Sequence, residues 1–156
     1  ERIVRIGQLT AGFLKRRGIP HPRIAVAGLN PHAGENGAFG DEEIRIIRPT
    51  IDKLKNSGID CTGPISSDAI FLQALKGKYD GVVMMYHDQG QIATKLLGFN
   101  KGVTVTAGLP SVFTTPAHGT AYDIAGKGLA DVGAIEHAFT LAARMAAGRK
   151  AAAKAA

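Results

Sequence analysis

The chain contains a single cysteine, Cys61, and no tryptophan among its 156 residues. A lone thiol excludes an internal disulfide and fits a reducing cytoplasm better than a secreted, cross-linked scaffold. No apolar run is long enough to cross a bilayer as a helix, and the charged, broken start lacks the form of a signal peptide. Acidic residues are missing from the last 13 positions, where Arg144, Arg149, Lys150 and Lys154 fall. The net charge is +6, and without those four residues 15 basic side chains against 13 acidic ones leave +2. The excess therefore belongs to the Ala-rich C-terminal stretch, which ends in an Ala/Lys-rich tail, residues 148–156, and not to a folded basic face of the kind that binds nucleic acid.

What is present is 20 glycines and 45% hydrophobic residues, a composition expected of one α/β core with many tight turns, over residues 1–147. The densest chemistry lies in Asp80 to Asn100, DGVVMMYHDQGQIATKLLGFN. Gly81 to Tyr86 is a short continuous apolar run that reads as a buried parallel strand. His87 and Asp88 follow, and Asp88 with Gln91 has the spacing of a capping box opening a helix to about Leu97. Gln91 and Lys95 share one face of that helix, while Ile92 and Leu96 take the packing face. Ligands in open α/β sheets bind beyond the carboxyl ends of strands, which makes His87 and Lys95 site candidates; the plain alternative is a capped loop histidine and a solvated lysine.

Earlier in the chain, Ile3, Ile6, Leu9, Phe13 and Leu14 have helical spacing over Arg2 to Arg17, and Gly18 stands where such a helix stops. Ile24 to Leu29 reads as a second apolar strand. Asn30 to Gly40 is glycine-rich and leads to Asp41 as a helix cap, after which Ile44, Ile47, Ile51 and Leu54 form a stripe interrupted by Pro49, predicting a kink or two shorter helices. His32 thus repeats the placement of His87, just past an apolar strand. If the strands are parallel, both imidazoles stand on one edge of the sheet and, near Asp68, Asp88 or Glu35, supply most of a divalent metal site. A histidine that only bonds its own turn is the alternative.

Ile59 to Thr62 is a short strand, Gly63-Pro64 a turn, and Ser66, Ser67 or Asp68 caps a helix ending near Gly77. Gly102 to Thr106 and Ser111 to Thr115 read as extended segments. His118 to Gly128 is a loop whose glycines allow backbone to approach a ligand. Val132 to Met145 is an apolar helix with a frayed, Ala-rich end.

Three long motifs then coincide in order: GLNPHAGENGAFG (Gly28 to Gly40), MYHDQG (Met85 to Gly90) with Lys95, and AHGTAYDIAGKGLADVGA (Ala117 to Ala134). Together they resemble the 4-hydroxythreonine-4-phosphate dehydrogenase family of vitamin B6 biosynthesis, over roughly Arg23 to Met145. The loop HGTAYDIAGKG also resembles the nucleotide loop of isopropylmalate and isocitrate dehydrogenases. The resemblance implies an isopropylmalate dehydrogenase-like α/β fold, with a mostly parallel sheet flanked by helices, of which this chain is the C-terminal half. It implies His32 and His87 as two of three histidine ligands to a divalent metal (Zn, Mg, Mn or Co), Lys95 as a substrate-binding and catalytic lysine, and Asp68 as an active-site acid. The His118 loop, with Gly119, Thr120, Asp123, Ile124 and Gly126, is implied to receive NAD. The implied reaction is metal- and NAD-dependent oxidation of a secondary alcohol with loss of carbon dioxide from the β-keto acid, in a cytoplasmic homodimer whose site is completed by the other half or by a partner chain.

Two positions depart from the family pattern: Thr104 stands where the family has a substrate-binding Asn, and Phe113 where it has a substrate-binding Arg. Threonine still hydrogen-bonds, but phenylalanine cannot replace a guanidinium that grips an anion. The expected alternatives are therefore a four-carbon sugar-acid phosphate or an unphosphorylated, carbocyclic diol carboxylate of aromatic degradation. A non-catalytic binding or assembly piece is the alternative of another class.

Overall fold

The computed structural model describes the backbone of residues 1–155 and the side chains of residues 1–148. The chain forms two compact units, Glu1–Gln91 and Ile92–Ala156.

The first unit opens with α1 (Arg2–Arg16), whose last turn closes as the sequence predicts. Gly18 adopts φ +92°, and the Ile19 N–H reaches back to the Leu14 carbonyl at 3.1 Å, the glycine-ended closure that satisfies carbonyls left open at a helix terminus. Strands β1 (Ile24–Ala27), β2 (Cys61–Ile65) and β3 (Gly81–Val83) form a sheet in the order β2-β1-β3. Both pairings are parallel, with Ile24 opposite Cys61 on one side and Gly81 on the other. The crossovers carry α2 (Arg48–Asn56) and α3 (Ser67–Leu75).

Strand alternation divides the core. Ile24 and Val26 pack with Ala11, Ile47, Ile51, Leu54 and Cys61, whereas Ala25 and Ala27 face Ile70 and Tyr79. All four residues of β1 are buried, which accounts for its unbroken apolar sequence. Leu54 is fully buried and lies so close to α1 that a Cβ on Gly7 would stand 2.8 Å from its Cδ1. Burial pushes the Cys61 thiol up to about 11, so this cysteine is an inert part of the core. At the amino ends of β1 and β3, the Arg23 guanidinium grips Asp80 through Nε (3.0 Å) and Nη2 (2.9 Å), and the Arg23 N–H donates to the same carboxylate at 2.8 Å.

Four expectations change. The stripe through Ile44 does not hold: Glu43–Ile47 is a π-helical turn, and the Arg48 N–H bonds to the Glu43 carbonyl five residues back. Pro49 enters the first turn of α2 immediately afterwards, where its missing N–H is tolerated. The wider turn shifts the helix phase, leaving Ile44 44% exposed and placing Glu43, 1% exposed, in the interior. Asp41 precedes the turn, but its carboxylate pairs with Arg45 at 2.8 Å. Gly63-Pro64 lies inside β2, whose pairing with β1 is irregular at that level; proline is accepted there because β2 lies at an edge of the three-stranded sheet. The apolar run Gly81 to Tyr86 is strand only as far as Val83, and Tyr86 is exposed.

Helix α4 (His87–Gly98) begins in the first unit and ends in the second. In the second unit β4 (Val103–Val105) and β5 (Thr114–Pro116) pair antiparallel, with Thr104 opposite Thr115. Helix α5 (Gly133–Ala155) continues past the expected frayed end, in keeping with the high helix propensity of alanine. It packs on the hairpin through buried Ala134 and Ala138, and the Thr114 hydroxyl donates to the Ala138 carbonyl at 2.9 Å.

Candidate active site

Three parallel strands deliver three turns to one edge of the sheet, and each turn carries a residue singled out from the sequence. Asp68 follows β2, His32 follows β1, and His87 follows β3. Gly28 joins them through its backbone: its N–H donates to the Ile65 carbonyl at the end of β2 (2.8 Å), and its carbonyl accepts from Gln89 Nε2 in the first turn of α4 (2.8 Å). A Cβ at this position would stand 2.9 Å from the Ala33 backbone, so only glycine lets the strand end pass beneath the His32 turn.

The His32 turn, Pro31–Gly37, is unusual. His32, Ala33, Gly34, Glu35 and Asn36 all have positive φ, from 40° to 81°. For side chains other than glycine this conformation costs on the order of 1–2 kcal/mol per residue, and it persists only where surrounding contacts over-determine it. The buried Glu43 carboxylate supplies such contacts. Its Oε1 accepts the N–H groups of Leu29 (2.7 Å) and Asn30 (2.8 Å), and its Oε2 accepts from Asn30 Nδ2 (2.9 Å). Burial alone would raise the Glu43 pKa, but these donors outweigh it and hold the carboxyl below its ordinary value. The ring of Phe39 lies 6.1 Å from that of His32 at 52°, bracing the imidazole from the far side of the turn.

Asp68 lies in the first turn of α3 rather than capping it; Ser66 holds the cap position and donates its hydroxyl to Asp68 Oδ1 at 2.6 Å. That bond, with help from the charge of nearby His32 and against the cost of desolvation, holds the Asp68 carboxyl below the usual range. Structure thus brings Asp68 and His32 together. His87 Nδ1 lies 2.7 Å from Asp88 Oδ1. A carboxylate can only accept here, so Nδ1 is the donor in this contact and Nε2 is the ring nitrogen that would meet a ligand. Among the described residues no three His, Cys, Asp or Glu side chains cluster tightly enough to hold an ion; His32 and His87 follow neighbouring parallel strands at the same edge of the sheet.

In the second unit, Lys95 Nζ donates to the Ala117 carbonyl at 3.3 Å and lies 5.2 Å from the centre of the Phe99 ring. This sets the ammonium beside the start of the His118 loop, on the exposed surface. Thr104 is exposed on β4, and the Thr106 N–H bonds to the Phe113 carbonyl at 3.1 Å. This register places Thr104 and Phe113 diagonally on one face of the hairpin, with Phe113 54% exposed. The loop forms one wall of a cleft of about 650 Å³, lined by His118, Gly119, Thr120, Ile124 and Gly126 together with Phe99 and Asp131. Its Gly126 and Gly128 adopt φ +75° and +66°, and the His118 Nδ1–H donates to the Gly119 carbonyl at 2.9 Å. Asp123, in a short helical turn Tyr122–Ile124, does not line the cleft. The Asp131 carboxylate, also on the lining, accepts the Gly133 N–H at the start of α5 (2.8 Å).

Sequence reasoning missed Glu43 and Gln89. The adjacent acids Glu42 and Glu43, directly after a glycine-rich turn, were the available signal for the first. For Gln89 the signal was a second amide beside His87, overshadowed by Gln91.

Residues 1–142 match the family described as pyridoxal phosphate biosynthetic protein PdxA. The chain is 53% identical over 146 residues to D-threonate 4-phosphate dehydrogenase of Pectobacterium atrosepticum, covering 94% of this chain and 45% of that protein. It is 60% identical over 128 residues to 4-hydroxythreonine-4-phosphate dehydrogenase of Beijerinckia indica, covering 82% of this chain and 38% of that one. The crystal structure of 4-hydroxythreonine-4-phosphate dehydrogenase from Klebsiella pneumoniae superposes with a TM-score of 0.83 at 52% identity, over 93% of this chain and 44% of its own. A terephthalate 1,2-cis-dihydrodiol dehydrogenase from Burkholderia xenovorans does so at 0.69 and 36% identity, over 90% and 44%. The chain spans less than half the length of these relatives.

Proposed function

The chain belongs to the PdxA family, and from that premise we propose that the whole protein is a metal- and NAD-dependent dehydrogenase of a phosphorylated hydroxy acid. Its relatives are named for two such acids, 4-hydroxythreonine 4-phosphate and D-threonate 4-phosphate. The observation that carries the reading is the convergence of the Asp68, His32 and His87 turns at one sheet edge, tied together at Gly28.

His32 and His87 would hold the cation, with Asp88 keeping the His87 proton on Nδ1 so that Nε2 is the ligating atom. A bound divalent cation supplies Lewis-acid polarisation of the hydroxyl being oxidised and of the carboxyl being lost, and NAD supplies the hydride acceptor. Asp68, whose carboxyl the Ser66 hydroxyl holds below its usual range, would serve as the acceptor for a proton. Lys95, held beside Ala117, is suited to binding an anionic substrate group. The His118 loop offers glycine backbone to a dinucleotide in the adjoining cleft, and a homodimer completing the site accords with a chain that holds only part of the ligand set.

A second reading rests on Phe113. Exposed beside Thr104 on the hairpin face, it offers an apolar ring where an anion-gripping side chain would otherwise be expected, which suits an unphosphorylated carbocyclic diol acid. The full-length protein, supplied with NAD and a divalent cation, should reduce the nicotinamide with D-threonate 4-phosphate or 4-hydroxythreonine 4-phosphate. Turnover only with a cyclohexadiene diol carboxylate would favour the second reading, and turnover with none would favour a non-catalytic binding role.

A further inference from the structure

The Gln89 side chain spans the two turns that carry the histidines. Its Nε2 donates to the Gly28 carbonyl at the end of β1 (2.8 Å), and its Oε1 accepts the Met85 N–H beyond the end of β3 (2.9 Å). One bond runs 61 positions along the sequence and the other 4, so a single planar amide fixes the end of one strand against the exit of its neighbour. His32 lies four residues beyond Gly28, and His87 two residues beyond Met85. The amide is half-buried and uses its donor and its acceptor in opposite directions, which neither glutamate nor methionine can reproduce. A Cβ on the next residue, Gly90, would collide with the Met84 thioether, so the first turn of α4 is seated closely on the strand exit that Gln89 holds. The strained His32 turn has a separate anchor in Glu43, and the bonds described for that carboxylate all go to Leu29 and Asn30. Only Gln89 makes side-chain hydrogen bonds to both, among the bonds described.

We propose that Gln89 is a positioning residue that sets the spacing and orientation of His32 against His87, and thereby the affinity and geometry of the cation they bind. This rests on the reading of the two histidines as ligands to one divalent cation. Outer-shell groups that orient ligands typically change metal affinity by about 10- to 100-fold when removed, without abolishing the fold.

The test uses the full-length protein titrated with cobalt(II), whose visible absorption bands report ligand geometry without turnover. Wild type should bind cobalt in a form lost in His32→Ala and His87→Ala. Gln89→Met, close in shape but without the paired hydrogen bonds, should bind about 10- to 100-fold more weakly and with shifted bands, while the metal-free variant still melts cooperatively near the wild-type temperature. Equal affinity and identical bands in Gln89→Met would overturn the positioning role and leave the histidine reading standing. Cobalt binding indifferent to both histidine substitutions, or no binding by wild type, would overturn the histidine reading and the role of Gln89 with it. Should Gln89→Met fail to fold, Gln89→Glu carries the same comparison: it keeps the acceptor for Met85 but sets a carboxylate against the Gly28 carbonyl, and wild-type affinity and bands in that variant would equally overturn the proposal.

Discussion

Glu43 and Asn30 are joined twice, backbone N–H to Oε1 at 2.8 Å and side-chain Nδ2 to Oε2 at 2.9 Å, and this double bond anchors the left-handed turn that carries His32. Because Glu43 is buried, removing it takes the acceptor from two backbone donors at once, the Leu29 and Asn30 N–H groups, while Asn30 Nδ2 keeps its bond to Glu42. Glu43→Ala should therefore destabilise the protein by about 2 kcal/mol or more, each unsatisfied group costing on the order of 1–3 kcal/mol. Glu43→Gln, which keeps one oxygen for the two backbone donors, should cost clearly less. Denaturant midpoints at constant slope measure both, and equal losses for the two variants would mean the hydrogen bonds do not carry the effect.

The ion pair at the opposite edge of the sheet has a pH signature. The Arg23 side chain and backbone amide hold the Asp80 carboxyl down to about 2. A carboxyl depressed in the folded state contributes its stability above its unfolded pKa of about 3.9, and that contribution fades as pH falls towards the folded value. Asp80→Asn should thus be less stable than wild type at pH 7, and the gap should narrow between roughly pH 4 and pH 2. A gap that is constant across this window would show that the loss comes from packing, not charge.

The placement of both histidines was legible because it depends on strand ends, which short apolar runs and polar turns mark clearly. Ile24 to Ala27 and Gly81 to Val83 are strands, neighbouring and parallel, and each is followed within a few residues by its histidine. What could not be read was phase. A stripe at 3.6-residue spacing put Ile44 in the core, but the π turn ahead of Pro49 inserts an extra residue and buries Glu43 instead. Gly63-Pro64 has turn composition, and only the edge position of β2 explains its presence in a strand. Asp68 had the look of a cap because Ser, Ser and Asp are interchangeable there by propensity; which of them takes the cap position is settled by backbone conformation, with the Ser66 hydroxyl bonding locally to Asp68 two residues on.

The His87–Asp88 contact predicts a metal phenotype distinct from that of the ligands. Asp88→Asn leaves His87 in place but removes the acceptor that keeps its proton on Nδ1, since an amide can present a donor instead. Cation affinity should fall about 10- to 100-fold, whereas His87→Ala should abolish metal-dependent turnover with the fold retained. Equilibrium dialysis of the full-length variants separates the two. If Asp88→Asn binds as tightly as wild type, Asp88 does not orient the ligand.

The second reading of the substrate makes a prediction at Phe113. Phe113 shares the exposed hairpin face with Thr104, and neither side chain can form the paired, charged hydrogen bonds by which an arginine holds an anion. Losing such bonds costs on the order of 1.5–3 kcal/mol each, so a substrate that needs an arginine at this position should be handled at least about tenfold less well. An apolar ring packed on Phe113 would recover part of that through burial. The full-length enzyme is therefore expected to prefer a substrate that makes no demand here, and Phe113→Arg should shift kcat/KM towards 4-hydroxythreonine 4-phosphate and away from a carbocyclic diol acid. Because the hairpin backbone is held by β4–β5 pairing and not by this exposed ring, the substitution should leave stability within about 0.5 kcal/mol. Efficient turnover of the phosphate by the native enzyme, with no gain in Phe113→Arg, would show that this face of the hairpin does not meet the substrate.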